Sequence, residues 1–295
     1  MMQVLYAIFL GMIQGVLEFL PVSSLGHLCM AERAMGLGTQ AGLLFESMLH
    51  LGTMAALIMV FFKDVRRLLL EFLNITSDLS GNFGKYLRKR RLADSSNIRY
   101  SKLVTNVYRK IVLMILVTMI PTCILGFVCR NLAALAFRTG TLTGFAWLIM
   151  GVFLLVVDVS GAGGDYGPNS SRYDQALWIG ILQGISVFPG LSRCGLTIGT
   201  GLLAGFEKKF AIKYSFLCAI PVMLGAFCVE ARSFSDAAVS GFQIFLFITG
   251  AVAAWITGYF TARFLIKVIE NAKIKYFALY CFIAGVLALI TNAPA

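Results

Sequence analysis

Apolar runs of bilayer length recur along the chain, near 43–62, 111–129, 141–158, 210–230, 241–260 and 276–292. A helix needs about 20 apolar residues to cross a hydrocarbon core, so the pattern predicts about six spanning helices. A transmembrane barrel would instead show alternating strands of about ten residues, and the chain has none. Two further stretches, 4–38 and 175–206, are apolar but interrupted. Val4–Leu20 runs into Pro21, and Ala176–Phe188 runs into Pro189 and Gly190. Irregular backbone at membrane depth is tolerated where protein or a wet cavity surrounds it. Both stretches are therefore predicted to be re-entrant helical hairpins.

The two broken stretches share a frame. "GMIQGVLEFLPVSS" starts at Gly11 and "GILQGISVFPGLSR" at Gly180. Each places G-x-x-Q-G ahead of a Phe, a Pro and a Ser, and each precedes three spanning candidates. The expected fold is an all-α polytopic membrane protein built as an inverted repeat. Residues 1–158 form the first repeat and 159–295 the second. Interrupted segments at corresponding positions of two halves point to a site near the membrane midplane.

Composition agrees: 59% of residues are hydrophobic and 13% charged, against about 25% charged in soluble domains. Much of the net charge of +11 lies in 63–110, from Lys63 through Arg88, Lys89, Arg90 and Arg91 to Lys110. In a soluble protein such a stretch would suggest nucleic acid. Between apolar runs it reads as a cytoplasmic loop obeying the positive-inside rule, and no nucleic-acid partner is expected. Both termini then lie outside. The first hairpin enters from outside, the second from the cytoplasm, and their tips meet. The seven cysteines include no C-x-x-C pair, so they read as small packing residues. Residues 1–22 carry no basic n-region and no A-x-A-like site, so they are not expected to be a cleaved signal peptide.

The tips concentrate polar chemistry. The first carries Gln14, Glu18, Ser23, Ser24 and His27; the second carries Gln183, Ser186, Ser192, Arg193 and Thr197. Ionisable groups within a membrane are costly and point to function. An arginine beside hydroxyls and glycine amides suits a phosphate, and a helix start after Pro189 would add backbone N–H groups. Ser24 is a candidate nucleophile, His27 an acid/base and Glu18 a carboxylate. Singly, each has a plainer reading: a packing glutamate, helix caps, a buried histidine, a structural Glu18–Arg193 pair. Glu46 and His50, four apart on one helix face, fit either a self-satisfied pair or a supporting role beside the site.

"EFLPVSSLGH" and "PGLSRCGLT" resemble the signature segments of the undecaprenyl-diphosphate phosphatase family of the bacitracin-resistance type. The resemblance runs over nearly the whole chain, through "FESMLHLGTMAALIMVFFKDV" and Tyr214–Pro221. It implies a hydrolase of the cytoplasmic (inner) membrane of bacteria. Such an enzyme removes the terminal phosphate of undecaprenyl diphosphate at the outer face, recycles the carrier lipid and confers bacitracin resistance. By the same resemblance Glu18, Ser24, His27 and Arg193 are catalytic, and Gln14, Ser23, Gly190, Ser192 and Thr197 bind substrate. Glu46, His50 and Gln183 are candidates for the surrounding shell. Mg2+ or Ca2+ at Glu18 is the candidate cofactor, and a homodimer the candidate assembly. Two positions depart from the family pattern. Gln14 stands where many members have Glu, and Cys194 where many have Ser. A polyprenyl-phosphate transporter, or flippase, on the same scaffold is the rival reading.

Overall fold

The structure is a computed structural model that describes residues 1–36, 42–92, 99–231, 240–271 and 273–292. Residues 37–38 of the expected first hairpin and 93–98 of the basic loop lie outside the described residues. Among these residues the chain forms eleven helices and no strand ladder. They are α1 (Met2–Leu17), α2 (Ser24–Ala34), α3 (Gly42–Val60), α4 (Phe62–Leu92), α5 (Val107–Arg138), α6 (Thr141–Val159), α7 (Tyr173–Ile185), α8 (Arg193–Leu203), α9 (Lys208–Glu230), α10 (Gly241–Asn271) and α11 (Lys275–Thr291).

Among the described residues, four helices are long and apolar enough to cross a membrane: α5, α6, α9 and α10 over Gly241–Phe264. The run at 43–62 became α3, which is bent by 94° from α4. Counted as one span, that pair makes a fifth. The run at 276–292 became α11, whose 17 residues rise about 25 Å, slightly less than a hydrocarbon core of about 30 Å. Phe127, Ile149, Phe260 and Ile290 are each more than half exposed, as lipid-facing side chains are. The chain is a multi-pass helical membrane protein.

Both broken stretches fold as two helices joined by a tight tip. α1 ends before Pro21, whose ring disfavours helical geometry in the residue before it. Ser23 then caps α2, its Oγ accepting the Gly26 N–H at 3.2 Å. In the second stretch α7 ends before Pro189, and Ser192 caps α8 by accepting the Gly195 N–H at 3.1 Å. Each G-x-x-Q-G is a small-xxx-small face that lets helix backbones approach. Gly11 and Gly15 lie against Gly250, Ala254 and Thr257 of α10. Gly180 and Gly184 lie against Thr118, Pro121 and Leu125 of α5. A Cβ at any of the four would collide with its neighbour. Further contacts join α3 to α9 and α6 to α11.

Candidate active site

The first tip places five consecutive carbonyls, Phe19 to Ser23, between α1 and α2. Each meets a side-chain donor. Cys194 Sγ donates to Phe19 O at 3.1 Å and Ser192 Oγ to Leu20 O at 3.1 Å. Cys281 Sγ donates to Pro21 O at 3.8 Å and Trp147 Nε1 to Val22 O at 2.8 Å. His27 Nδ1 lies 2.7 Å from Ser23 O. A buried carbonyl without a partner is costly, so these contacts let non-helical backbone persist inside the protein. Ser23 itself has φ +67°, a left-handed conformation that costs a serine energy. The second tip meets it: Gly190, at φ +98°, donates its N–H to Ser23 Oγ at 3.0 Å.

Glu18 is the hub of the buried polar groups. Arg193 Nη2 donates to its Oε1 at 2.8 Å. Its Oε2 accepts Ser24 Oγ–H at 2.6 Å and Gln14 Nε2–H at 2.8 Å. His50 Nε2 stands 3.6 Å from the same Oε2. Gln14, Glu18 and Ser24 are buried. Arg193 Nη1 is buried and makes no hydrogen bond, and so is Gln14 Oε1. Ser24 and Arg193 are the first residues of α2 and α8. Two helix N-termini, each with partial positive charge and first-turn N–H groups lacking intrahelical partners, thus bracket one carboxylate.

The expected residues sort into two groups. Gln14, Glu18, Ser24 and Arg193 come together, and His50 joins them. Ser23, Gly190 and Ser192 join the hairpins to each other, as the bonds above show. Thr197 Oγ1 bonds Arg193 O at 2.8 Å and also pairs with Ser215 Oγ, which fixes the start of α8. Gln183 donates to Thr122 Oγ1 on α5 at 3.2 Å. His27 does not meet Glu18 or Ser24. Its Nδ1 needs a hydrogen to bond the Ser23 carbonyl, which leaves Nε2 to accept from Tyr280 Oη at 2.6 Å. Its ring stacks near Tyr280 and edge-on to Trp147.

The Glu46–His50 pair does not close on itself. His50 Nδ1 bonds the backbone carbonyl of Glu46 at 2.8 Å, while Glu46 Oε1 is buried without a partner. Sequence reasoning missed Tyr280 and Trp147, which sit unmarked in apolar runs, and gave Ser215, within Tyr214–Pro221, no role.

The chain matches the family described as bacitracin resistance protein BacA over residues 7–287. It belongs to this family. Among its BacA relatives, a protein named undecaprenyl-diphosphatase from Methanosphaera stadtmanae is 34% identical over 99% of both chains. One of the same name from Alkaliphilus metalliredigens is 32% identical over 96% of this chain and 97% of the relative. Another, from Desulfosudis oleivorans, is 33% identical over 98% of each. The two positions expected to depart from the family pattern both have bonded partners in this structure. Gln14 orients Glu18, and Cys194 spends its S–H on the Phe19 carbonyl.

Proposed function

We propose that the chain hydrolyses undecaprenyl diphosphate to undecaprenyl phosphate and inorganic phosphate, and that this recycling confers bacitracin resistance. The relatives' name supports the substrate. The observation that carries the reading is the Arg193 guanidinium. One nitrogen is anchored on Glu18 Oε1, the carboxylate whose other oxygen holds the Ser24 hydroxyl, and the other nitrogen is buried and unbonded. That is a donor prepared for a phosphate oxygen.

In this mechanism Arg193 Nη1 and the first-turn N–H groups of α2 and α8 hold the terminal phosphate. Phosphoryl transfer needs positioning and charge neutralisation above all. Ser24 attacks the phosphorus, Glu18 Oε2 takes its proton, and the anhydride bond breaks as the lipid phosphate leaves. Gln14 and His50 fix Glu18. Ser23, Gly190, Ser192 and Thr197 hold the two helix starts at the spacing the phosphate requires. His27 acts through the Ser23 backbone, keeping that residue in its strained conformation.

A divalent cation fits the site in part. Among the described residues no three His, Cys, Asp or Glu side chains converge on one point. Glu18 and the unbonded Gln14 Oε1 are the oxygens available. Mg2+ or Ca2+ would be held by these two together with substrate oxygens, since hard cations take six or more oxygens. It would supply further neutralisation of the diphosphate.

The inverted repeat is supported by exchanged packing. α1 of residues 1–158 lies on α10 of 159–295, while α7 of the second segment lies on α5 of the first. The matched G-x-x-Q-G faces make both contacts. On this reading the chain has six spans and two re-entrant hairpins. With the basic segment cytoplasmic by the positive-inside rule, we place the protein in the bacterial cytoplasmic membrane, with the site open towards the outer face.

Phosphate release from undecaprenyl diphosphate by the purified protein in detergent tests the activity, because vectorial transport cannot occur there. No release would sink it. Complete loss in Ser24→Ala supports nucleophilic attack; a modest loss would assign Ser24 to positioning water.

A further inference from the structure

The proton released during hydrolysis needs a destination, and two histidines lie near the tips. A fully ionised diphosphate ester carries less negative charge than the monophosphate and inorganic phosphate it becomes, so each turnover liberates a proton. Glu18 takes that proton first, through the oxygen that accepts the Ser24 hydroxyl. A buried carboxyl held by Arg193 must discharge before the next cycle.

His27 is poorly placed for this, because both ring nitrogens are occupied, by Ser23 O and Tyr280 Oη. His50 is oriented differently. Its Nδ1 carries a hydrogen, because a carbonyl oxygen, that of Glu46, is its partner at 2.8 Å. In the neutral ring, Nε2 is then the basic nitrogen, and it stands 3.6 Å from Glu18 Oε2. The imidazole side chain is 23% exposed, while that of Glu18 is 4% exposed. His50 therefore meets the Glu18 carboxylate on one side and is partly exposed at the protein surface on the other.

We infer that His50 is the proton outlet of the site, a positioning residue that acts through Glu18. This deepens the phosphatase reading above and rests on it. As Ser24 Oγ bonds to phosphorus, the anhydride P–O bond breaks and its electron pair leaves on the lipid phosphate. The Ser24 proton passes to Glu18 Oε2 and on to His50 Nε2. Water then attacks the phosphoserine. One water hydrogen returns to Ser24 Oγ and the other stays on inorganic phosphate. The proton on His50 is the surplus one, and it leaves to the exterior.

The test compares wild-type, His50→Gln and His50→Ala full-length proteins in detergent with undecaprenyl diphosphate. Both variants should lose kcat on the order of 10²-fold, the scale of general acid–base catalysis, with KM within about twofold of wild type. Added imidazole should restore part of the kcat of His50→Ala and leave His50→Gln unchanged. A purely structural role would lower the folded yield or raise KM, and imidazole would not rescue it. A kcat for His50→Gln within about threefold of wild type would overturn the inference. Absence of turnover in the wild type would instead overturn the phosphatase reading.

Discussion

Ser23 Oγ accepts the backbone N–H of Gly190 at 3.0 Å, and both residues have left-handed backbone. One hydroxyl thus ties the two hairpin tips together, since the same oxygen also caps α2 through Gly26. Ser23→Ala strands two buried N–H groups, each costing about 1–3 kcal/mol. The variant should unfold at lower temperature in detergent and lose activity in parallel. An unchanged unfolding temperature would mean that the tips do not rely on this bond.

Arg193→Lys keeps the charge but replaces a planar fork with a point donor that cannot serve Glu18 and a phosphate in the same geometry. Turnover should fall by about 10²–10³-fold, as when a charge-stabilising donor is removed from an active site. Glu18→Gln should be equally damaging, because it removes the acceptor of the Ser24 proton. The double variant should be little worse than either single one, since residues that act as a unit are not additive. Additive losses would separate the two roles.

Gln14→Glu would place a second carboxylate beside Glu18. With no cation the two repel; with one they share it. The concentration of Mg2+ or Ca2+ that gives half-maximal activity should fall by about tenfold or more, because ligand charge tunes affinity for such ions. Turnover of the variant that is indifferent to chelator and to added cation would remove Gln14 and Glu18 as a cation site.

At the end of the basic segment, Arg109 joins α5 to α4, donating to Glu71 at 3.0 Å and to Asp78 at 2.6 Å. The Arg109 hydrogen bond holds the Glu71 carboxyl below its ordinary value, helped by Asn106 and Asn74. The fastening is complete above the unfolded carboxyl's value and is lost as pH falls through the lower folded one. Proteolysis within 62–110 should stay slow from about pH 7 to the ordinary carboxylate range and quicken only below it. Glu71→Gln should be cut faster at neutral pH and show a smaller acid step. Identical profiles would place no weight on the pair.

The hairpins and the Glu18, Ser24 and Arg193 centre were legible because lipid makes polar residues and prolines conspicuous. Their repetition at matched positions added a second signal. The repeated Gln14 and Gln183 misled in part. Their shared frame encodes helix packing, and since α7 lies on α5, Gln183 meets Thr122 and not a carboxylate. The part His50 plays was hidden for a different reason. Spacing of four residues reports neighbours on one helix, whereas its ring is aimed by its own backbone bond to Glu46 toward Glu18, just past the end of α1. Tyr280 and Trp147 contribute through contacts between distant segments, which local pattern does not encode.

The separation of Glu18 from Arg193 by 175 residues has a consequence for the chain as it is made. Synthesis proceeds from the N-terminus, so Glu18 enters the membrane long before its guanidinium partner exists. Its other partners, Gln14, Ser24 and His50, all arrive within the first fifty residues. Long-range contacts form late and slowly. The nascent protein therefore passes through a stage in which Gln14, Ser24 and His50 must shelter a membrane carboxylate by themselves. Gln14→Ala should accordingly lower the amount of folded protein recovered from the membrane.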